Sequence, residues 1–318
     1  MVKDEQNDIF FSSSSCFKEF QREFFKKLMS SSRYKDICIA GFVNKFDKER
    51  EMQFSAVTIF PKGAHPYIAF RGTDSTLVGW KEDFNMALND IIPAQTEAKL
   101  YVSNASKKIW GKFYVGGHSK GGNLAIYAAT CVPVKIQRRI VKIFSNDGPG
   151  FQQNFFKDIN YKRIKNKIEA FIPQSSIIGL LFERDYNINV IESSVQGFMQ
   201  HNMYTWQVCP DDFVYAHDVT DKALALNKAV MSWINSMDIS QREKFIETLY
   251  EAVNTTDINT IPDFAEDWFH NTGRLIRTFI KMKPESKKIL VHTISDFISS
   301  MKKHKCESSD QKCGERHD

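Results

Sequence analysis

The stretch KFYVGGHSKGGNLAIYAAT, residues 112–130, constrains this chain more than any other. KFYVGG reads as a short strand, and NLAIYAATCV behind it reads as an apolar helix. No loop separates them, only a glycine-flanked bend. A strand turns into a helix this sharply only where side chains are missing on both sides of the apex, because the neighbouring backbones nearly touch. Gly117-His118-Ser119-Lys120-Gly121 has that spacing and lifts the Ser119 hydroxyl onto a strained turn at a helix N-terminus. The expectation is a nucleophile elbow, with the Lys120 N–H turned toward a developing oxyanion.

Such a bend needs a sheet around it. β-type runs occur at ICIAGFV, MQFSAVTIF and YIAF before it and at RIVKIFSND, KIEAFIP and NINVIES after it. VGWKEDFNMAL and AQTEAKLYVSNASKK have helical character between them. Strands alternating with helices predict an α/β core over residues 36–222, a mostly parallel sheet flanked by helices. Residues 1–35 read as an N-terminal amphipathic helical segment, in which Phe17, Phe20, Phe24 and Leu28 fall three to four apart. Residues 223–300 carry the helical runs LNKAVMSWINSM, QREKFIETLYEAV, DFAEDWFHNTGRLIRTFI and ESKKILVHTISDFISS, a C-terminal helical region. Residues 301–318 read as a disordered tail. His304, Cys306, Cys313 and His317 in that tail match no common zinc spacing, so neither a metal nor another cofactor is expected.

Bulk properties exclude several function classes. At 318 residues and 42% hydrophobic content there is ample material for a packed core. The net charge of +5 comes without a dense basic stripe, which argues against a nucleic-acid partner. Six scattered cysteines and no recognisable signal peptide predict a reducing, cytoplasmic setting. No run approaches the ~18 apolar residues of a membrane span, so any membrane contact is expected to be peripheral. Oligomeric state is not legible.

A second segment bears on the site. YIAFRGTDSTLVGWKEDF is a strand that ends in Arg71-Gly72-Thr73 and enters a polar loop. An acyl-transfer site draws its second oxyanion donor from such a loop, and Thr73 has both an N–H and a hydroxyl to offer. A turn capped by Thr73 and Asp74, with Arg71 in an ion pair, is the competing reading. FRGTDST and GWKEDFNMA together with GGHSKGGNLAIYAA resemble the class 3 lipases among the α/β-hydrolases, and more closely their Mbeg-like branch from Gram-positive bacteria. QFSAVTIF, NDGPGF, IPQSSIIGLL and QHNMYTWQV resemble that branch in the same order, so the likeness extends over roughly residues 33 to 300. It implies an α/β-hydrolase fold, a lipase-like serine esterase site and an oxyanion-hole role for Thr73. The N-terminal lead-in is shorter than that group's, which bears on the sheet's first edge.

The base of such a site follows the nucleophile and the acid in chain order. His65 comes too early, His270 and His292 fall in helical stretches, and His118 is expected to point away from the turn and pack. Of His201 and His217, His201 is preferred, since it follows the last strand by a loop and lies in QHNMYTW. The acid is harder. The usual class 3 position, in FIPQSSIIG, holds no carboxylate. Asp147, at the end of the preceding strand, is the first choice and Asp185 the reserve; failing both, Ser176 is a weaker orienter of the imidazole. Lys120 is expected either at the pocket mouth, favouring an anionic substrate group, or paired with Asp74 or Asp83, or simply in solvent. The function expected is hydrolysis of an ester or thioester, small or lipid-like, by a Ser-His-Asp acyl-enzyme route. The alternatives are a non-catalytic protein of this fold that binds an acyl ligand or partner, and an acyltransferase.

Overall fold

The computed structural model describes residues 15–73, 77–86, 89–254, 291 and 295–296. In chain order the elements are α1 (Ser15–Ser30), β1 (Cys38–Asp47), β2 (Met52–Phe60), β3 (Tyr67–Phe70), α2 (Leu77–Asn85), α3 (Pro93–Lys108), β4 (Phe113–His118) and α4 (Lys120–Cys131). There follow α5 (Val134–Gln137), β5 (Ile140–Asn146), α6 (Ile159–Ile164), β6 (Ile168–Pro173), β7 (Ile188–Ile191), α7 (Asp221–Ser236) and α8 (Ile239–Asn254). The seven strands make one sheet whose spatial order is the chain order.

Connection length decides strand direction. The β1–β2 and β2–β3 links are too short for a crossover, so these pairs are antiparallel. From β3 to β7 the links carry helices or long loops, and every pair is parallel. The edge strand β1 is exposed along most of its length and bulges at Gly41, features that blunt an open sheet edge.

The helix α4 is buried on every side, Lys120 through Thr130, as an all-round apolar helix must be. Against it and β2 lies α3, which presents Ala94, Ala98 and Val102 one turn apart and fully buried. These small side chains let the two helices approach closely. The start of α3 is set by Pro93 in its first turn and by Gln95, whose Oε1 accepts the Ile92 N–H at 3.1 Å. Behind them Phe113, Val115, Ile140 and Ile143 supply the sheet's share of the core. A second cluster of Ile172, Leu180, Val190, Val219 and Ala223 seats the start of α7 against β6 and β7. Residues 1–14, the runs at 263–280 and most of 285–300, and the tail lie outside the described residues. So do His270, His292, His304, Cys306, Cys313 and His317. Among the described residues no helix is long and apolar enough to cross a membrane.

Candidate active site

Ser119 stands at the junction of β4 and α4 with φ 57° and ψ −130°, a conformation that costs a non-glycine residue about 1–3 kcal/mol. The flanking glycines make the bend sterically feasible. A Cβ on Gly117 would lie 2.5 Å from the Phe70 carbonyl oxygen, and one on Gly121 only 2.3 Å from the same atom. The bend is pinned from outside as well, since Ser119 N–H donates to the Asn146 carbonyl at 2.9 Å. Lys120 is the first residue of α4, so its amide has no acceptor within the helix.

Asp147 follows β5 directly, with φ 49° and its side chain 1% exposed. One carboxylate oxygen accepts the His201 Nδ1–H at 2.6 Å, and the other accepts the Ser176 hydroxyl, which in turn accepts the Gly179 N–H at 2.8 Å. His201 ends a single 3-10 turn in the long connection after β7. Its position is set three ways: by Asp147 on the ring, by fully buried Gln200 beside it, and by His118. Gln200 accepts the Ser175 N–H at 2.7 Å and donates to the Val195 carbonyl at 2.6 Å, while its own carbonyl accepts the Trp206 indole N–H at 2.8 Å. His118 Nε2–H donates to the His201 carbonyl at 2.7 Å, and the two imidazole rings lie 4.4 Å apart. His201 is thus packed against the residue that precedes Ser119. Burial, reinforced by the neighbouring His201, pushes the His118 imidazole down to about 4, so it is neutral at ordinary pH.

The loop after β3 runs along the bend: a Cβ on Gly72 would lie 2.7 Å from the His118 carbonyl oxygen and 3.1 Å from Ser119 Cβ. Thr73 follows, and its hydroxyl donates to the Asp83 carboxylate at 2.7 and 2.5 Å. Burial pushes the Asp83 carboxyl up to about 6, against the pull of Lys120 and of the Thr73 hydroxyl. Its side chain still keeps 36% of its surface toward solvent. Behind the bend, the Lys120 ammonium is 1% exposed and donates to Glu82 Oε2 at 2.8 Å and to the Gln53 carbonyl and Oε1, each at 3.0 Å.

A model of the Mbeg1-like family matches residues 28–251, more than two thirds of the chain. The chain belongs to that family. Among solved structures, this Mbeg1-like chain is similar to the propeptide complex of a Rhizomucor miehei lipase at 17% identity and a TM-score of 0.37, over 58% of this chain and 62% of that one. It is similar also to a fungal lipase–inhibitor complex at 16% identity and a TM-score of 0.38, over 59% of this chain and 76% of that one. No curated protein matches it. The core topology of this family member is that of an α/β-hydrolase, a mostly parallel sheet with helices on it and the sharp strand-to-helix bend near its middle.

Of the residues singled out in the sequence, the Mbeg1-like fold brings Asp147, His201 and the Ser119 bend together and sets Gly72–Thr73 against that bend. Several expectations need correction. Asp185 is half exposed and pairs with Lys165 at 2.6 Å, away from the His201 ring. Ser176 does not replace the acid; it binds Asp147. His118 packs as expected, but it packs on His201, whose carbonyl offers the acceptor its buried ring requires. The Thr73 hydroxyl proton is committed to Asp83, which leaves the Thr73 amide as its donor. Lys120 reaches neither the pocket mouth nor solvent. Its main partner is Glu82, with Asp83 3.9 Å away, and Asp74 lies outside the described residues. Glu82, Gln53 and Gln200 escaped sequence reading altogether. The one available signal was an apolar helix that begins with a lysine. Among the described residues no cluster of three metal-ligating side chains occurs.

Proposed function

We propose that this Mbeg1-like chain is a serine hydrolase of lipase or esterase type that cleaves an ester or thioester through an acyl-enzyme. The observation that carries the reading is the Asp147–His201 hydrogen bond, built beside a strained serine at a helix N-terminus. With Nδ1–H given to Asp147, Nε2 of His201 is left with its lone pair as general base. Ser119 Oγ attacks the substrate carbonyl as His201 Nε2 takes the hydroxyl proton. The tetrahedral oxyanion is held by the amides of Thr73 and Lys120, the latter aided by the α4 N-terminus. Collapse expels the alcohol or thiol with the proton from His201. Water, deprotonated by the same imidazole, then releases the acid and restores Ser119.

Lipid-like substrates suit the surroundings. Phe20, Phe24, Phe25 and Met29 of α1 are exposed, and the rings of Phe20 and Phe24 meet Tyr204, three residues after His201, at 5.1 and 5.5 Å. An amphipathic helix with a basic polar side there suits peripheral contact with a lipid surface. Cys38, Cys131 and Cys209 are free thiols, in keeping with a cytoplasmic setting.

A fluorophosphonate probe tests the reading on the purified protein. Wild type should label covalently, and Ser119→Ala and His201→Ala should not. An unlabelled wild type that also fails to turn over nitrophenyl esters of any chain length would make it a binding protein of the same fold. Acceleration of product formation by added alcohol or thiol acceptors, with the acyl group transferred to them, would mark an acyltransferase instead.

A further inference from the structure

The charged pair behind the bend calls for explanation. Lys120 is 1% exposed and Glu82 fully buried, and a pair so deep stabilises a fold no better than apolar residues of the same volume. What it adds is direction. All three ammonium protons of Lys120 have acceptors: Glu82 Oε2, the Gln53 carbonyl and Gln53 Oε1. Glu82 in turn accepts the Gln53 N–H at 3.0 Å and the Ala94 N–H, in the first turn of α3, at 2.9 Å. Four elements meet at this one pair: β2, α2, α3 and α4. The next residue of α2 is Asp83, which holds the Thr73 hydroxyl. A continuous path of bonds therefore runs from the residue after Ser119, through α2, to the loop packed across Ser119.

We infer that the Lys120 side chain is a positioning residue, which through Glu82 and Asp83 holds the amides of Lys120 and Thr73 at the spacing an oxyanion requires. The inference rests on the hydrolase reading above. It assigns the side chain a task distinct from that of its own N–H. Drawing the side chain into the core fixes the backbone of the first helical residue, while Asp83 fixes the loop that carries the other donor. Two donors misplaced by a fraction of an ångström lose transition-state stabilisation but leave ground-state binding nearly intact.

The test compares Lys120→Met, the neutral pair Lys120→Met/Glu82→Gln, and Asp83→Ala with wild type, using a nitrophenyl ester and an aryl trifluoromethyl ketone that mimics the tetrahedral adduct. Lys120→Met leaves the buried Glu82 charge without a counter-ion, held only by the Gln53 and Ala94 amides, and is expected to fold poorly. The double variant removes both charges and should recover most of the thermal stability. In the double variant kcat should nevertheless fall roughly 10- to 100-fold with KM within about threefold, and ketone affinity should fall in parallel with kcat. Asp83→Ala, at the more exposed end of the path, should lose about tenfold in kcat without a stability change of comparable size. A double variant or an Asp83→Ala enzyme with wild-type kcat and ketone affinity overturns the inference and leaves the hydrolase reading standing. A wild type inert to fluorophosphonate and to esters overturns both.

Discussion

Ser119 holds a backbone conformation that only its surroundings make tolerable, and Asp147 does the same one strand away. Both sit where a parallel strand ends, and both are hydrogen-bonded by main chain from the neighbouring strand: Ser119 N–H to Asn146, Asp147 N–H to Phe171 at 2.7 Å. The neighbouring strand's main chain thus holds each strained residue in place. If Asp147 orients the imidazole, Asp147→Asn should lower kcat by about 10⁴ with little change in KM, measured on a soluble ester, because the amide no longer secures the productive tautomer. Ser176→Ala leaves one Asp147 oxygen and the Gly179 N–H without their shared partner. It should cost about 1–3 kcal/mol of stability, readable by urea unfolding.

At the scale of elements, β3 presses main chain to main chain against the β4–α4 bend. The Phe70 carbonyl lies so near Gly117 and Gly121 that no methyl group fits, and main chain on both sides leaves nothing to move aside. Gly121→Ala should therefore destabilise by roughly 3 kcal/mol or more, seen as a large drop in thermal midpoint. Gly122→Ala makes a useful contrast. A Cβ there meets first the Ser145 hydroxyl, at 2.7 Å, a side-chain atom that can rotate, and the measured loss should be smaller. All seven strands and the helices α1, α2, α3, α4, α7 and α8 were legible, since alternation and apolar periodicity are properties of neighbouring residues. The direction of β1 and β2 followed only from the shortness of their links.

For the molecule as a whole, the buried His118 ring weakens the fold in acid, and Asp83, whose carboxyl burial pushes up to about 6, offsets part of that loss by taking up a proton in the folded state. His118 protonates at about 4 when folded and near 6.5 when unfolded, so between these values the unfolded chain binds the extra proton. Stability contributed by the neutral ring is present above pH 6.5 and is lost as pH falls toward 4, amounting to about 2 kcal/mol between pH 7 and 5. In His118→Gln, urea unfolding at the two pH values should show less loss in acid than wild type; an equal loss would assign the acid sensitivity to other groups. What chain order alone decided was where the hard bend lies, which strands surround it, and which segments bring Ser119, Asp147 and His201 toward one end of the sheet. These follow from steric rules and periodicities acting over a few residues. The partners did not follow. His201 meets Asp147 across 54 positions, Lys120 meets Glu82 across 38 and Gln53 across 67. Whether Lys120 faced water or the core, and whether Ser176 replaced an acid or supported one, depended on packing that removes water and leaves each buried polar atom only the acceptors within reach.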